Sequence, residues 1–78
     1  MATYTNRYAQ KIFEIISPIL GESMAKGSIT LHCKKLGILP EDIAQKDLSA
    51  LAQSIMKGLT LFVGSEKSMI VASKITAL

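Results

Sequence analysis

Cysteine and histidine each occur once in this chain of 78 residues, as Cys33 and His32. A lone cysteine excludes an internal disulfide, and one cysteine with one histidine is too few for a typical Cys/His zinc site. Charge is thin and dispersed. Nine basic residues stand against six acidic ones, a net charge of +3, and Lys34–Lys35 is the only adjacent basic pair. A nucleic-acid footprint ordinarily concentrates its cations. Long apolar runs are also missing: the longest stretch without a charged residue is nine positions, Leu48 to Met56, too short to span a bilayer. The first residues, Met1-Ala2-Thr3-Tyr4-Thr5-Asn6, lack the basic-then-apolar order of a secretory signal. Together with an unpaired cysteine, which suits a reducing compartment, this makes the cytoplasm the expected location. There is no linker, no low-complexity segment and no β-type alternation.

What the chain does have is a pattern stated twice. Ala9 to Gly21 lies 43 residues before Ala52 to Gly64. Ala9, Gln10, Ile12 and Gly21 find the same residues at Ala52, Gln53, Ile55 and Gly64, while Phe13/Met56, Ile16/Leu59, Ser17/Thr60, Ile19/Phe62 and Leu20/Val63 are alike in kind. With one residue dropped after the glycine, Ile29, Cys33 and Leu36 fall on Val71, Ile75 and Leu78. Each half reads as helix, glycine break, helix, the form of a helical hairpin.

Periodicity fills in the elements. Tyr8, Ile12, Ile15, Ile16 and Ile19 recur at helical spacing, which predicts a first helix capped by Thr3 or Thr5. Pro18 falls inside it; a kinked helix reaching Leu20, closed by Gly21, is expected over one broken at Ile16. A second helix is expected over 22–36 with Ala25, Ile29, Cys33 and Leu36 inward and Gly37 as its C-terminal cap. Ile38-Leu39-Pro40-Glu41-Asp42 reads as a central joint holding a short helical turn, with Ile38 and Ile43 plugging the space between the halves. Asp47 is the expected cap of a third helix along Leu48, Leu51, Ala52, Ile55, Met56, Leu59, Phe62 and Val63. Gly58 inside it suggests that another backbone packs close. Gly64 should close that helix and Ser65 cap a fourth, along Met69, Val71, Ala72, Ile75 and Leu78. The expected fold is all-α: one domain, 1–78, of four main helices as two pseudo-repeated helical hairpins, half-repeats about 5–36 and 47–78.

Chemistry is harder to find. Leu31-His32-Cys33-Lys34-Lys35-Leu36-Gly37 resembles histidine-phosphotransfer helices, which carry an exposed histidine with lysine three residues on and glycine four on. Lys35 matches the lysine; Leu36 stands at the glycine position and Gly37 comes one residue late. The resemblance covers this short segment alone and implies phosphotransfer through His32, weighed against an ordinary histidine on a helix face. Cys33 lies on the apolar stripe and reads as a small buried hydrophobe. The carboxylates Glu14, Glu22, Glu41, Asp42, Asp47 and Glu66 fall largely at predicted helix starts, where capping explains them. Residues 29–48 also admit a helix-turn-helix reading with Gly37 in the turn. Its would-be recognition helix opens with Glu41 and Asp42, which repel phosphates. Met24, Met56 and Met69 read as core filler or a plastic contact surface, and Tyr4 and Tyr8 as stacking groups or an N-terminal staple.

A chain of this size buries only about 60–65% of its unfolded surface. With 49% hydrophobic residues and a mean hydropathy of +0.33, it carries more apolar surface than it can easily hide. The expected function is therefore a small, non-enzymatic protein-interaction or self-associating regulatory module, with no metal or cofactor. A nucleic-acid-binding regulator using 29–48 is the alternative, and phosphotransfer through His32 a minor one. A second copy or another protein is the expected partner.

Overall fold

The computed structural model describes residues 4–78, which form three α-helices: α1 (Arg7–Leu20), α2 (Glu22–Lys35) and α3 (Leu48–Thr76). Two 3₁₀ turns, Pro40–Asp42 and Gln45–Asp47, make the joint between α2 and α3. The all-α expectation holds among these residues. The count of four main helices does not, because the third and fourth expected helices run together as α3, with Gly64 as its one non-helical residue (φ 86°, ψ 167°).

That glycine changes the shape of α3. Twenty-nine helical residues in a straight line would reach about 43 Å, yet the longest extent of the whole molecule is 29 Å. Thr60 and Ser68, eight residues apart, also bring their hydroxyl oxygens within 2.9 Å of each other. On a straight helix they would be separated by about 12 Å of rise. α3 therefore folds back at Gly64.

Asn6 begins α1. Its side-chain oxygen accepts from the amides of Tyr8 (2.9 Å) and Ala9 (3.1 Å). Its side-chain nitrogen donates to the carbonyls of Glu41 (3.0 Å) and Ile43 (2.9 Å). The cap expected at Thr5 thus falls to its neighbour, because only an amide serves the helix and the central joint at once; Thr3 lies outside the described residues. α1 runs through Pro18 to Leu20 as expected. Gly21 separates α1 from α2 at φ 85° and ψ 159°, and its amide donates to the Ser17 carbonyl at 2.8 Å. With positive φ and extended ψ, this is a backbone region open almost only to glycine.

α2 ends one residue before the expected Leu36, which itself forms the cap. The Ile38 amide donates to the Cys33 carbonyl (3.0 Å) and the Gly37 amide to that of Lys34 (3.1 Å), with Gly37 at φ 73°. These paired bonds are the glycine closure that the sequence led one to expect. Asp47 behaves differently. Its carboxylate makes no capping bond to α3 and instead accepts from the Ala44 amide at 2.9 Å, while its own amide donates to the Ala44 carbonyl. The second 3₁₀ turn claims that side chain before the helix can. Ser65 likewise gives no capping bond among the described contacts; its carbonyl accepts from the buried Ser68 hydroxyl.

One core joins all three helices. Ile12 and Ile16 of α1, Ile29 and Cys33 of α2, and Leu48, Leu51, Ile55, Leu59 and Ile75 of α3 are buried together, with Ile43 from the joint. Ile38 is half-buried beside it. The stripes fail at their ends: Ile19, Leu36, Phe62 and Met69 are exposed.

Candidate functional site

The small residues of α3 decide where His32 goes. Ser54 and Gly58 are four apart, one above the other on the same helix face, and together leave a notch between α3 and α2. The imidazole of His32 fills it and is only 7% exposed. Its Nδ1 lies 2.6 Å from the Ser54 hydroxyl. A Cβ added at Gly58 would stand 3.6 Å from Nε2 and 3.8 Å from Cε1. The close neighbour expected at Gly58 is therefore this ring and not a backbone.

This placement corrects the sequence reading of His32 as an exposed helix-face residue. Residue number alone put it next to the apolar position Cys33 and so off the stripe, but two consecutive residues can both be covered when two neighbouring elements pack on either side of the helix. Ser54 was not anticipated as its partner. The signal was there in principle: a serine and a glycine at helical spacing, beside an otherwise large apolar stripe, mark a place where something bulky enters.

Outside the notch, Leu20, Ser28, Leu31, Lys35, Ile55, Leu59 and Phe62 complete a groove with His32 and Gly58, enclosing a cavity of about 210 Å³. Its walls are mainly apolar; His32 and Lys35 are its ionisable groups. Burial and, second, the nearby Lys35 charge hold the imidazole below its ordinary pKa of 6.5. The ring is therefore neutral at pH 7, with one nitrogen a donor and the other an acceptor. Nδ1 faces Ser54. Among the described residues, Nε2 has no hydrogen-bond partner.

Cys33 is fully buried, as its position on the stripe implied, and its thiol is pushed up to about 11 by burial and then by Asp47 and Glu41. So protonated a thiol is a poor nucleophile. Tyr4 packs its ring 6.0 Å from that of Phe13, and its buried hydroxyl has no hydrogen-bond partner among the described residues. The Arg7 guanidinium sits 5.3 Å from the centre of the Tyr8 ring. Both tyrosines thus serve the start of α1. Of the methionines taken as core filler or contact surface, Met24 and Met69 are exposed and Met56 is half-buried. Glu14 lies within α1, not at a helix start, and accepts from the Gln10 side chain at 3.1 Å.

The segment 29–48 does not contain a second α-helix beside α2. Residues 40–47 make two three-residue 3₁₀ turns linked through extended backbone at Ile43 and Ala44. No recognition helix is formed there, because Pro40 sets up a turn that Ile43 ends by leaving helical geometry to reach the core. Among the described residues, no group of three or more His, Cys, Asp or Glu side chains is placed to hold a metal ion. No described helix is long and apolar enough to cross a membrane. No family, curated protein or solved structure matches this chain.

Proposed function

We propose that this protein is a small interaction module, self-associating or binding another protein, built as two pseudo-equivalent helical hairpins and working without catalysis. The observation that carries the reading is the apolar surface left around the Gly64 bend. Leu61 is 89% exposed and Phe62 64%, and Met69 and Ile70 stand exposed on the other side of the same bend. Loose packing is not the cause. The accessible surface is 4819 Å², against about 4,600 Å² expected for a folded monomer of this mass. The core is closed, and large apolar residues remain outside it. A contiguous exposed apolar area rimmed by polar groups is how interaction sites present themselves.

The hairpin equivalence draws support from burial at the repeat spacing. Ala9, Ile12 and Ile16 are buried, and so are Ala52, Ile55 and Leu59, 43 positions on; past the glycine, Ile29 and Cys33 are buried, and so are Val71 and Ile75, 42 positions on. Gly21 and Gly64, at the same spacing, share one backbone conformation.

Sedimentation of the full chain over about a hundredfold concentration range tests self-association directly. The expected result is a mass that rises with concentration, accompanied by a rising melting temperature. A constant monomer mass and constant melting point would leave only a foreign protein partner. A DNA affinity that falls steeply with salt would replace the reading by nucleic-acid binding.

A further inference from the structure

We propose that the groove between α2 and α3 is a binding site for a small apolar monocarboxylate. Its hydrocarbon body would lie against Leu20, Leu31, Leu59 and Phe62, and its carboxylate would take hydrogen bonds from His32 Nε2–H and the Lys35 ammonium. The groove meets the apolar surface proposed for association at Phe62, but His32 and Lys35 lie outside that surface, so carboxylate binding can fail while association stands.

The proposal places the proton of the neutral ring on Nε2. With the Ser54 hydroxyl donating across the 2.6 Å contact, Nδ1 is the acceptor. A neutral ring that accepts at Nδ1 carries its proton on Nε2. This side chain is more than nine-tenths buried and lines the cavity, and among the described residues Nε2 meets no protein acceptor. One turn along α2, Lys35 supplies a positive charge at the same cavity. A donor and a cation converging on an apolar cavity call for a single anionic oxygen group on an apolar body. A carboxylate provides that; a neutral hydrocarbon or an apolar side chain would leave the donor buried and unsatisfied. The cavity, about 210 Å³, is below the range of about 300–1,000 Å³ that holds drug-sized ligands. The body is accordingly short.

Octanoate is a suitable probe and octan-1-ol its neutral counterpart. The ¹⁵N-labelled full chain is titrated with each and followed by amide shifts. Octanoate should saturate with a Kd on the order of 1 mM or tighter, its shifts confined to residues around the groove on α2, α3 and the end of α1. Octanol should bind about tenfold more weakly. Lys35→Gln, at an exposed position, should weaken octanoate about tenfold without lowering the melting temperature. Gly58→Ala favours the helix and sets a methyl against Nε2, so it should weaken octanoate comparably while the fold is kept or stabilised. Ring ¹⁵N shifts should show Nε2 protonated and Nδ1 not. Absence of saturation, shifts scattered over the surface, equal binding of octanol, unchanged affinity in both variants, or a proton on Nδ1 would each overturn the proposal.

Discussion

Two substitutions at Asn6 separate its two jobs. Asn6→Ala removes both the acceptor that caps α1 and the donor that ties α1 to the joint. Loss of the cap costs about 1 kcal/mol, and each lost tether adds about 0.5–1.5 kcal/mol, the one to Glu41 being solvent-exposed and at the low end. The expected total is about 2–3 kcal/mol. For a chain of 78 residues with about 0.05–0.15 kcal/mol of stability per residue, or about 4–12 kcal/mol in all, that is a sizeable fraction. Asn6→Asp is more telling. It keeps the capping oxygen and improves it, since a carboxylate at a helix N-terminus gains about 0.3–1 kcal/mol from the dipole. But it replaces the donating nitrogen by an oxygen facing two carbonyls now 2.9–3.0 Å away. If the tether matters as the geometry implies, Asn6→Asp is destabilised by about 1–2 kcal/mol despite the better cap. Urea unfolding followed by far-ultraviolet circular dichroism measures both variants. An Asn6→Asp protein as stable as the parent would refute the tether and leave Asn6 a cap alone.

Ile55→Ala, deep in α3 at the counterpart of Ile12, should cost about 2–5 kcal/mol in urea unfolding; a loss under about 1 kcal/mol would mean that this face is not core. His32 is held below its ordinary 6.5, so folding favours its neutral form. Its contribution is complete above pH 6.5 and is lost as pH falls through the folded-state value, so the urea midpoint should drop between pH 7.5 and 5, and drop less in His32→Gln. Cys33, with its thiol near 11, should resist alkylation at pH 8 in buffer and react at the rate of a free thiol in urea; equal rates in both would contradict its burial. Ser68→Ala should change stability by less than about 1 kcal/mol, checked by the same unfolding assay.

The core was legible and its limits were not. Apolar period identifies the inward face of a helix, and Ile12, Ile16, Ala25, Ile29, Cys33, Leu51, Ile55, Val71 and Ile75 are buried where the stripes put them. Period says nothing of how far along that face a neighbour reaches. Ile19, Leu36, Phe62 and Met69 keep the rhythm yet lie beyond the covering helix, and all are exposed. Caps were misplaced for a related reason. Thr5 and Asp47 have the right chemistry for local capping, but Asn6 was selected by carbonyls 35 and 37 residues away, and Asp47 by the turn at Ala44. His32 is the sharpest case. Its burial depends on the notch at Ser54 and Gly58 in another helix, and no local pattern around residue 32 encodes that.

Ser68 is a fully buried hydroxyl in the core, and its partners explain how the core carries it. Ala25, on α2, is equally buried and fills its place with a methyl group alone. A hydroxyl put where a methyl fits must find partners or cost about 1–3 kcal/mol. Ser68 finds two: the Ser65 carbonyl at 2.9 Å and the Thr60 hydroxyl at 2.9 Å, while Thr60 also reaches the Met56 carbonyl at 2.8 Å. Three contacts share two hydroxyl protons, so no more than two of them are hydrogen bonds at once. Ser68 donates to Ser65 or to Thr60, and Thr60 to Met56 or to Ser68. However the protons fall, deleting the Ser68 hydroxyl leaves Thr60 a full acceptor in the Met56 carbonyl, and no buried donor is stranded. The Ser68 hydroxyl is tolerated because Thr60 turns toward it across the Gly64 bend, which brings together two hydroxyls eight residues apart.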